Sequence, residues 1–321
     1  MLRGMQVIAL EEHYWDEEVS RLSPGYETSR VGRQLQELFD FGDIRLTEMD
    51  AAGVDVQVLS LGAPSLQRMK GQAAVDLAQR ANDRLAETVR RRPDRFAAFC
   101  ALPTDAPEAA ADELERCVKH LGFCGAMVHG LSNGEFLDRP RFWPIFERAS
   151  QLRTPIYLHP AMPDARVSTA YYADYAQAFP MVMRPAWGFT VETATLAIRL
   201  ILSGVFAKHR DLQFILGHMG ETLPYQIWRI DQALARPGQD SIQFRKLFCE
   251  HFHITTSGHF STPALHCAMM ELGMDRIMFS IDWPFVKNEQ AMNWIKTLQL
   301  NDVDMTKLLN GNARRLLQLK M

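Results

Sequence analysis

Val7-Ile8-Ala9-Leu10-Glu11-Glu12-His13 begins as four apolar residues of strand character and stops abruptly in two carboxylates and an imidazole. In extended backbone, residues i and i+2 project to one side, so Glu11 and His13 are expected to point together. A carboxylate oxygen and an imidazole nitrogen aimed at one point suit a divalent metal ion. A surface Glu and a hydrogen-bonded His at this spacing are common, so the pair gains weight only if other strand ends carry matching groups. The same form, an apolar run ending in a polar group, recurs along the chain.

Short β-type runs lie at 7–10, 54–60, 96–102, 125–128, 156–158, 213–216, 252–256 and 276–280. Helical patterns separate them: 44–52, stopped by Gly53; 73–92, ended by Pro93; and 107–121, with Pro in its first turn. Others lie at 140–152, 192–210, 223–234 and 263–272, and two closing helices are expected near 289–298 and 305–317. Short buried strands alternating with helices read as parallel β/α units. Eight of them in one chain fit a closed (β/α)8 barrel better than an open sheet. No low-complexity linker, repeat or composition break divides the sequence, so a single domain over 1–321 is expected. The long segments 14–41 and 161–191 both come after strands, on the face where such barrels keep their active sites.

Composition narrows the function. The 321 residues are 47% hydrophobic and 23% charged, ordinary for a globular protein with a large core. Net charge is −3, and the basic triplet Arg90-Arg91-Arg92 ends a helical pattern, where cations favour the C-terminal dipole. A nucleic-acid partner is therefore not expected. Five cysteines (Cys100, Cys117, Cys124, Cys249, Cys267) without C-x-x-C spacing read as thiols of a reducing compartment. The first residues carry no signal-peptide apolar region, and no run of about twenty apolar residues occurs. A cytoplasmic protein with no membrane partner is expected.

Three later strand ends carry polar groups. The fifth strand ends Tyr157-Leu158-His159-Pro160, the sixth Leu216-Gly217-His218-Met219-Gly220-Glu221, and the eighth Phe279-Ser280-Ile281-Asp282-Trp283-Pro284. Singly, a strand-end His is a common structural residue and a strand-end Asp a common helix cap. On one barrel all would face the same mouth. Glu11, His13, His159 and Asp282 together offer two imidazoles and two carboxylates, a ligand set for Zn2+ or Mn2+. The fourth strand, Gly125-Ala126-Met127-Val128 followed by His129, has no lysine to bridge a second ion. One ion is expected.

These motifs resemble the amidohydrolase superfamily. The blocks are E-x-H at Glu11 and His13, L-H-P at His159, G-H-M-G-E from His218 to Glu221, and S-x-D-W-P-F ending at Phe285. More narrowly, they resemble its nonoxidative aromatic decarboxylase branch, which includes γ-resorcylate, 2,3-dihydroxybenzoate and salicylate decarboxylases. The likeness extends to Arg80-Ala81-Asn82-Asp83, Arg92-Pro93-Asp94-Arg95-Phe96, Trp228-Arg229-Ile230-Asp231, His253-Ile254-Thr255-Thr256-Ser257-Gly258 and Asn312-Ala313-Arg314-Arg315-Leu316, so it covers nearly the whole chain. Hydrolases of the superfamily usually show H-x-H where this chain has Glu11 and His13.

The resemblance implies a reversible, cofactor-free decarboxylation of an ortho-hydroxybenzoate on one divalent ion, Zn2+ or Mn2+ with Mg2+ also in range. It also implies a small aromatic carboxylate as partner and a homo-oligomer, dimer or tetramer. Glu11, His13, His159 and Asp282 would hold the ion, and Asp282 would donate the proton, which requires it to be protonated in the productive complex. His218 is expected to serve Asp282 or the substrate. Glu221 either fixes that imidazole's tautomer or is a first-turn helix carboxylate. Arg229 either binds the substrate carboxylate or pairs with Asp231. Phe285 and Trp283 either pack on the ring or belong to the core. The resorcylate enzymes tend to carry Asn where this chain has His129, and a longer loop than 131–138 here. His129 either contacts a ring substituent or simply ends its strand. A lactone or amide hydrolase on the same barrel is the competing expectation.

Overall fold

The strands are mostly apolar, and each is buried along its length, as parallel strands covered on both faces require. The computed structural model describes residues 4–25, 32–237 and 241–319; part of the expected loop 14–41 therefore lies outside the described residues. The strands are β1 (Ile8–Tyr14), β2 (Val56–Leu61), β3 (Phe96–Ala98), β4 (Cys100–Ala101), β5 (Ala126–His129), β6 (Ile156–His159), β7 (Phe214–Leu216), β8 (Phe252–Thr255) and β9 (Ile277–Met278). β1 to β3 pair in order, as do β4 to β9, all parallel. β3 and β4 are one strand interrupted at Phe99, whose N–H still reaches the Leu59 carbonyl at 2.9 Å. The ring closes where Leu10 bridges Ser280: Leu10 N–H donates to Phe279 O at 3.2 Å, and His13 N–H to Trp283 O at 2.7 Å. The architecture is the expected (β/α)8 barrel.

Alternate residues fill the barrel interior, among them Ile8, Leu10, Val56, Val58, Phe99 and Tyr157. Intervening ones such as Ala9, Leu59, Ile156 and Leu158 pack under the helices. That parity makes β1 informative. With Ile8 and Leu10 facing inward, a regular strand would turn Glu11 and His13 out toward the helices. The register instead advances three residues on β1, Ala9 to Glu12, against two on β2, Gln57 to Leu59. Glu11 takes up the extra residue in the left-handed region, at φ 63°, a conformation that costs about 1–2 kcal/mol for a residue with a side chain. The bulge reverses the parity and delivers Glu11 and His13 to the barrel mouth.

Three expectations change in detail. The described part of segment 14–41 is not plain loop but carries helices Glu17–Leu22 and Arg33–Phe39. Segment 161–191 is not a plain loop; it folds into short helical turns at Ala165–Val167, Ser168–Tyr172, Ala173–Ala176 and Pro180–Met183. Asp164 caps the first by accepting from Arg166 N–H at 2.8 Å, and alanines at 165, 170, 173 and 176 favour helix. Tyr171 and Tyr175 stay exposed, so no buried stripe announces these turns. The expected helix 192–210 breaks at Gly204 (φ 78°) into Gly188–Leu202 and Val205–Lys208. No helix of the described residues is long and apolar enough to cross a membrane. All five cysteines are free.

One buried histidine sets a pH limit on the fold. His253 on β8 accepts from Arg276 Nη1 at 2.9 Å, and burial together with that guanidinium holds its pKa down to about 3. The unfolded chain takes up a proton near pH 6.5, which the folded chain refuses. Stability is therefore full above that pH and falls as pH drops toward 3, by up to about 1.4 kcal/mol per unit. Urea unfolding of wild type and His253→Gln at about pH 7 and about pH 5 checks this. The variant is expected to lose less stability on acidification; equal losses would contradict the assignment.

Candidate metal centre

Each polar strand end arrives at the barrel mouth by its own local device. Glu11 and His13 come through the β1 bulge. His159 comes two residues after Tyr157, at the two-residue period of β6, and its register partner on β5 is His129. His218 lies just beyond β7 at φ 48°, and Asp282 beyond β9 at φ 76°. Gly217 precedes His218 because a side chain there would meet Glu11 Oε2 at 2.5 Å and Tyr157 OH at 3.1 Å.

Among the described residues, Glu11, His13, His159 and Asp282 form a cluster whose ligand atoms all lie within 4.8 Å of one another. Glu11 Oε1 is 3.2 Å from His159 Nε2 and 4.0 Å from His13 Nε2; Asp282 Oδ1 is 3.3 Å from His13 Nε2. Glu11 Oε1, His13 Nε2 and Asp282 Oδ1 are buried without a hydrogen-bond partner. Orphaned donor atoms aimed at one point fit a cation between them. Their other atoms are held by the protein. His13 Nδ1 lies 3.1 Å from Ser60 Oγ. Tyr157 OH donates to Glu11 Oε2 and lies 2.7 Å from Thr255 Oγ1. Such anchoring orients ligands and fixes their tautomers.

The charges match. Burial opposes charge on Glu11, but His218 and His159 outweigh it and hold its pKa below the usual carboxylate value. Burial likewise opposes charge on Asp282, and the His13 and His218 contacts override it, leaving its pKa far below the ordinary range. Burial pulls His13 down despite both carboxylates. Burial, with His159 and His13 beside it, keeps His129 neutral. Two carboxylates beside imidazole nitrogens are the donor set that a divalent ion prefers.

His218 stands beside this cluster. Its Nε2 is 3.4 Å from Glu11 Oε1 and 3.9 Å from Asp282 Oδ2, while Nδ1 lies 2.7 Å from Glu221 Oε1. Burial opposes protonation of His218, but Glu11 and Glu221 overcome it and push its pKa well above the usual value. Glu221 is therefore in hydrogen-bond contact with His218, and it also lies in the first turn of its short helix. Trp283 is fully buried and belongs to the core, whereas the half-buried Phe285 ring lies 5.5 Å from the His13 ring. His129 turns Nδ1 to His159 Nδ1 at 2.9 Å. Arg229 is exposed on helix Leu223–Leu234, and the structure does not bring it into the cluster. Asp231 does not pair with it either, accepting instead from Arg245 N–H at 2.9 Å.

Two residues important to the site carry no signal in the sequence. Glu12, fully buried, accepts from Ile281 N–H at 2.9 Å and Trp283 N–H at 3.1 Å, the two amides flanking Asp282. Burial raises its pKa against the pull of those amides and of Arg45. Arg45, also fully buried, donates to His13 O at 2.7 Å and to Gln57 Oε1 at 3.0 Å, and its guanidinium lies 4.0 Å over the Trp283 ring. Together they lock β1 to the Asp282 turn. Glu12 reads as one of three polar residues in a row; only the bulge separates its direction from that of its neighbours.

The amidohydrolase family model matches residues 13–319. The chain is 42% identical over 327 residues to gamma-resorcylate decarboxylase of a Rhizobium species, covering 97% of this chain and 98% of the relative. Among solved structures, it resembles 2,6-dihydroxybenzoate decarboxylase complexed with 2,6-dihydroxybenzoate (TM-score 0.88, 41% identity, 98% and 100% covered). It also resembles the dihydroxybenzoic acid decarboxylase of a Polaromonas species with bound manganese and the inhibitor 2-nitroresorcinol (TM-score 0.89, 40% identity, 99% and 98% covered).

Proposed function

This chain belongs to the amidohydrolase family, and from that footing we propose a metal-dependent carboxy-lyase that removes CO2 from an ortho-hydroxybenzoate without organic cofactor or oxygen. The observation that carries the reading is the convergence of Glu11, His13, His159 and Asp282 with His218 beside them. Glu11, where hydrolases of the superfamily carry His, favours decarboxylation. The manganese of the Polaromonas relative supports Mn2+ as the ion.

Glu11, His13, His159 and Asp282 would hold one divalent ion, which would supply Lewis acidity and a template for the substrate's carboxylate and ortho-oxygen. The protein's own task is to protonate the ring carbon that bears the carboxylate. His218 is the group that would supply the proton: its Nε2 faces Asp282 Oδ2 at 3.9 Å, and Glu11 and Glu221 flank it. The proton passes from His218 Nε2 to Asp282 Oδ2 and on to the ring carbon. The bond to the carboxylate then breaks, its electron pair restores the aromatic ring, and CO2 leaves. Phe285 packs against the ring beside His13.

We further place the enzyme in the cytoplasm as one barrel domain and a homo-oligomer. Its five free cysteines support a reducing compartment, and the exposed Tyr225 and Trp228 offer apolar contact area. The reading is tested with 2,6-dihydroxybenzoate, 2,3-dihydroxybenzoate, salicylate and 5-carboxyvanillate, using protein loaded with Mn2+ and protein stripped by chelator. CO2 release from at least one, lost on stripping, is expected. An inert panel, or lactone hydrolysis without CO2 release, would overturn it.

A further inference from the structure

His129 ends β5 and His159 ends β6, side by side in register, both buried. Their Nδ1 atoms are 2.9 Å apart, so one donates and the other accepts. A second contact decides which. His159 Nδ1 is also 2.7 Å from the Pro160 carbonyl oxygen, which can only accept. Were the proton on His129, two lone pairs would face each other across that 2.7 Å gap. The proton therefore sits on His159 Nδ1, shared between Pro160 O and His129 Nδ1. This leaves the lone pair of His159 on Nε2, the atom that faces Glu11 Oε1 at 3.2 Å.

We infer that His129 is a positioning residue: its Nδ1 lone pair accepts the Nδ1 proton of His159 and thereby fixes the tautomer and ring angle that aim His159 Nε2 at a metal ion. The inference rests on the reading of the Glu11 cluster as a metal site. The carbonyl of Pro160 alone holds one edge of the ring from the adjacent residue. His129 adds a fixed acceptor from the neighbouring strand, with ring planes at 61° and centroids 4.6 Å apart. An acceptor committed to His159 is not available to a ring substituent, so Nδ1 of His129 is assigned to support of the ligand shell.

The chemistry needs an acceptor at this position, not an imidazole as such. A carboxamide oxygen in His129→Asn can take the same proton, whereas His129→Leu fills the space without accepting. Mn2+ affinity, read from the signal of free Mn2+ by electron paramagnetic resonance, separates the cases without recourse to turnover. His129→Leu is expected to bind Mn2+ about 10–100-fold more weakly than wild type, and His129→Asn to recover most of that loss. Co2+-loaded protein gives a second readout: the visible absorption of His129→Leu shifts and that of His129→Asn stays near wild type. Equal Mn2+ affinity in all three proteins overturns the inference, as does Asn binding as weakly as Leu. A wild type that takes up no Mn2+ overturns the metal-site reading and this inference together.

Discussion

Asp282→Asn is expected to lower kcat by roughly 10³-fold or more while the fold persists. Asp282 has two proposed tasks: its Oδ1 faces His13 Nε2 at 3.3 Å within the ligand cluster, and its Oδ2 faces His218 Nε2 at 3.9 Å. Asn keeps an oxygen for the ion but can neither carry the proton nor balance the ion's charge. The fold tolerates the change because Asn is nearly the same size and adopts the left-handed region readily, as φ 76° demands. CO2 release by the Mn2+-reloaded variant, alongside its thermal unfolding, is the check. Near-wild-type turnover would remove Asp282 from the mechanism.

Glu12→Ala has the second largest expected effect, and it acts through backbone. The substitution strands the N–H groups of Ile281 and Trp283 in a buried setting, at about 1–3 kcal/mol each. It also frees the turn that holds Asp282 in its left-handed conformation, so turnover falls together with stability. Glu12→Gln keeps the volume and one accepting oxygen, and is expected to lose about half as much stability. Urea unfolding, with kcat measured under folding conditions, reads both effects. A Glu12→Ala protein as stable as wild type would show that water replaces the clamp and that Asp282 positions itself.

Much of the architecture is legible in the sequence because parallel strands, buried on both faces, leave continuous apolar runs at 156–158, 214–216 and 277–279. The ends of those runs mark the barrel mouth, which is why His159, His218 and Asp282 stand out. Direction is less legible. Glu11 and His13 share a side as period-two reasoning expects, but they reach the interior only through a bulge that no residue preference announces, since Glu11 is neither Gly nor Asn. Glu12 and Arg45 are hidden for a related reason. A buried charged residue is recognised by its partners, here the amides beside Asp282 and the carbonyl of His13, which are distant in sequence. Arg229 is a different case: guanidinium chemistry suits a carboxylate, and in the single chain the residue lies on the exposed side of its helix, outside the cluster. Trp283 sits one residue from a ligand and still proves to be core, held by Arg45 and by Glu48 Oε2 at 2.8 Å from its Nε1.

We propose that one divalent ion, held by Glu11, His13, His159 and Asp282, makes this barrel a nonoxidative decarboxylase. The most direct measurement is CO2 released from 2,6-dihydroxybenzoate, with oxygen excluded, by protein stripped of metal and reloaded with one equivalent of Mn2+. No release is expected from stripped protein. On reloading, CO2 and resorcinol are expected in equal amounts. Release that persists unchanged in the stripped protein, or that requires oxygen, would contradict it.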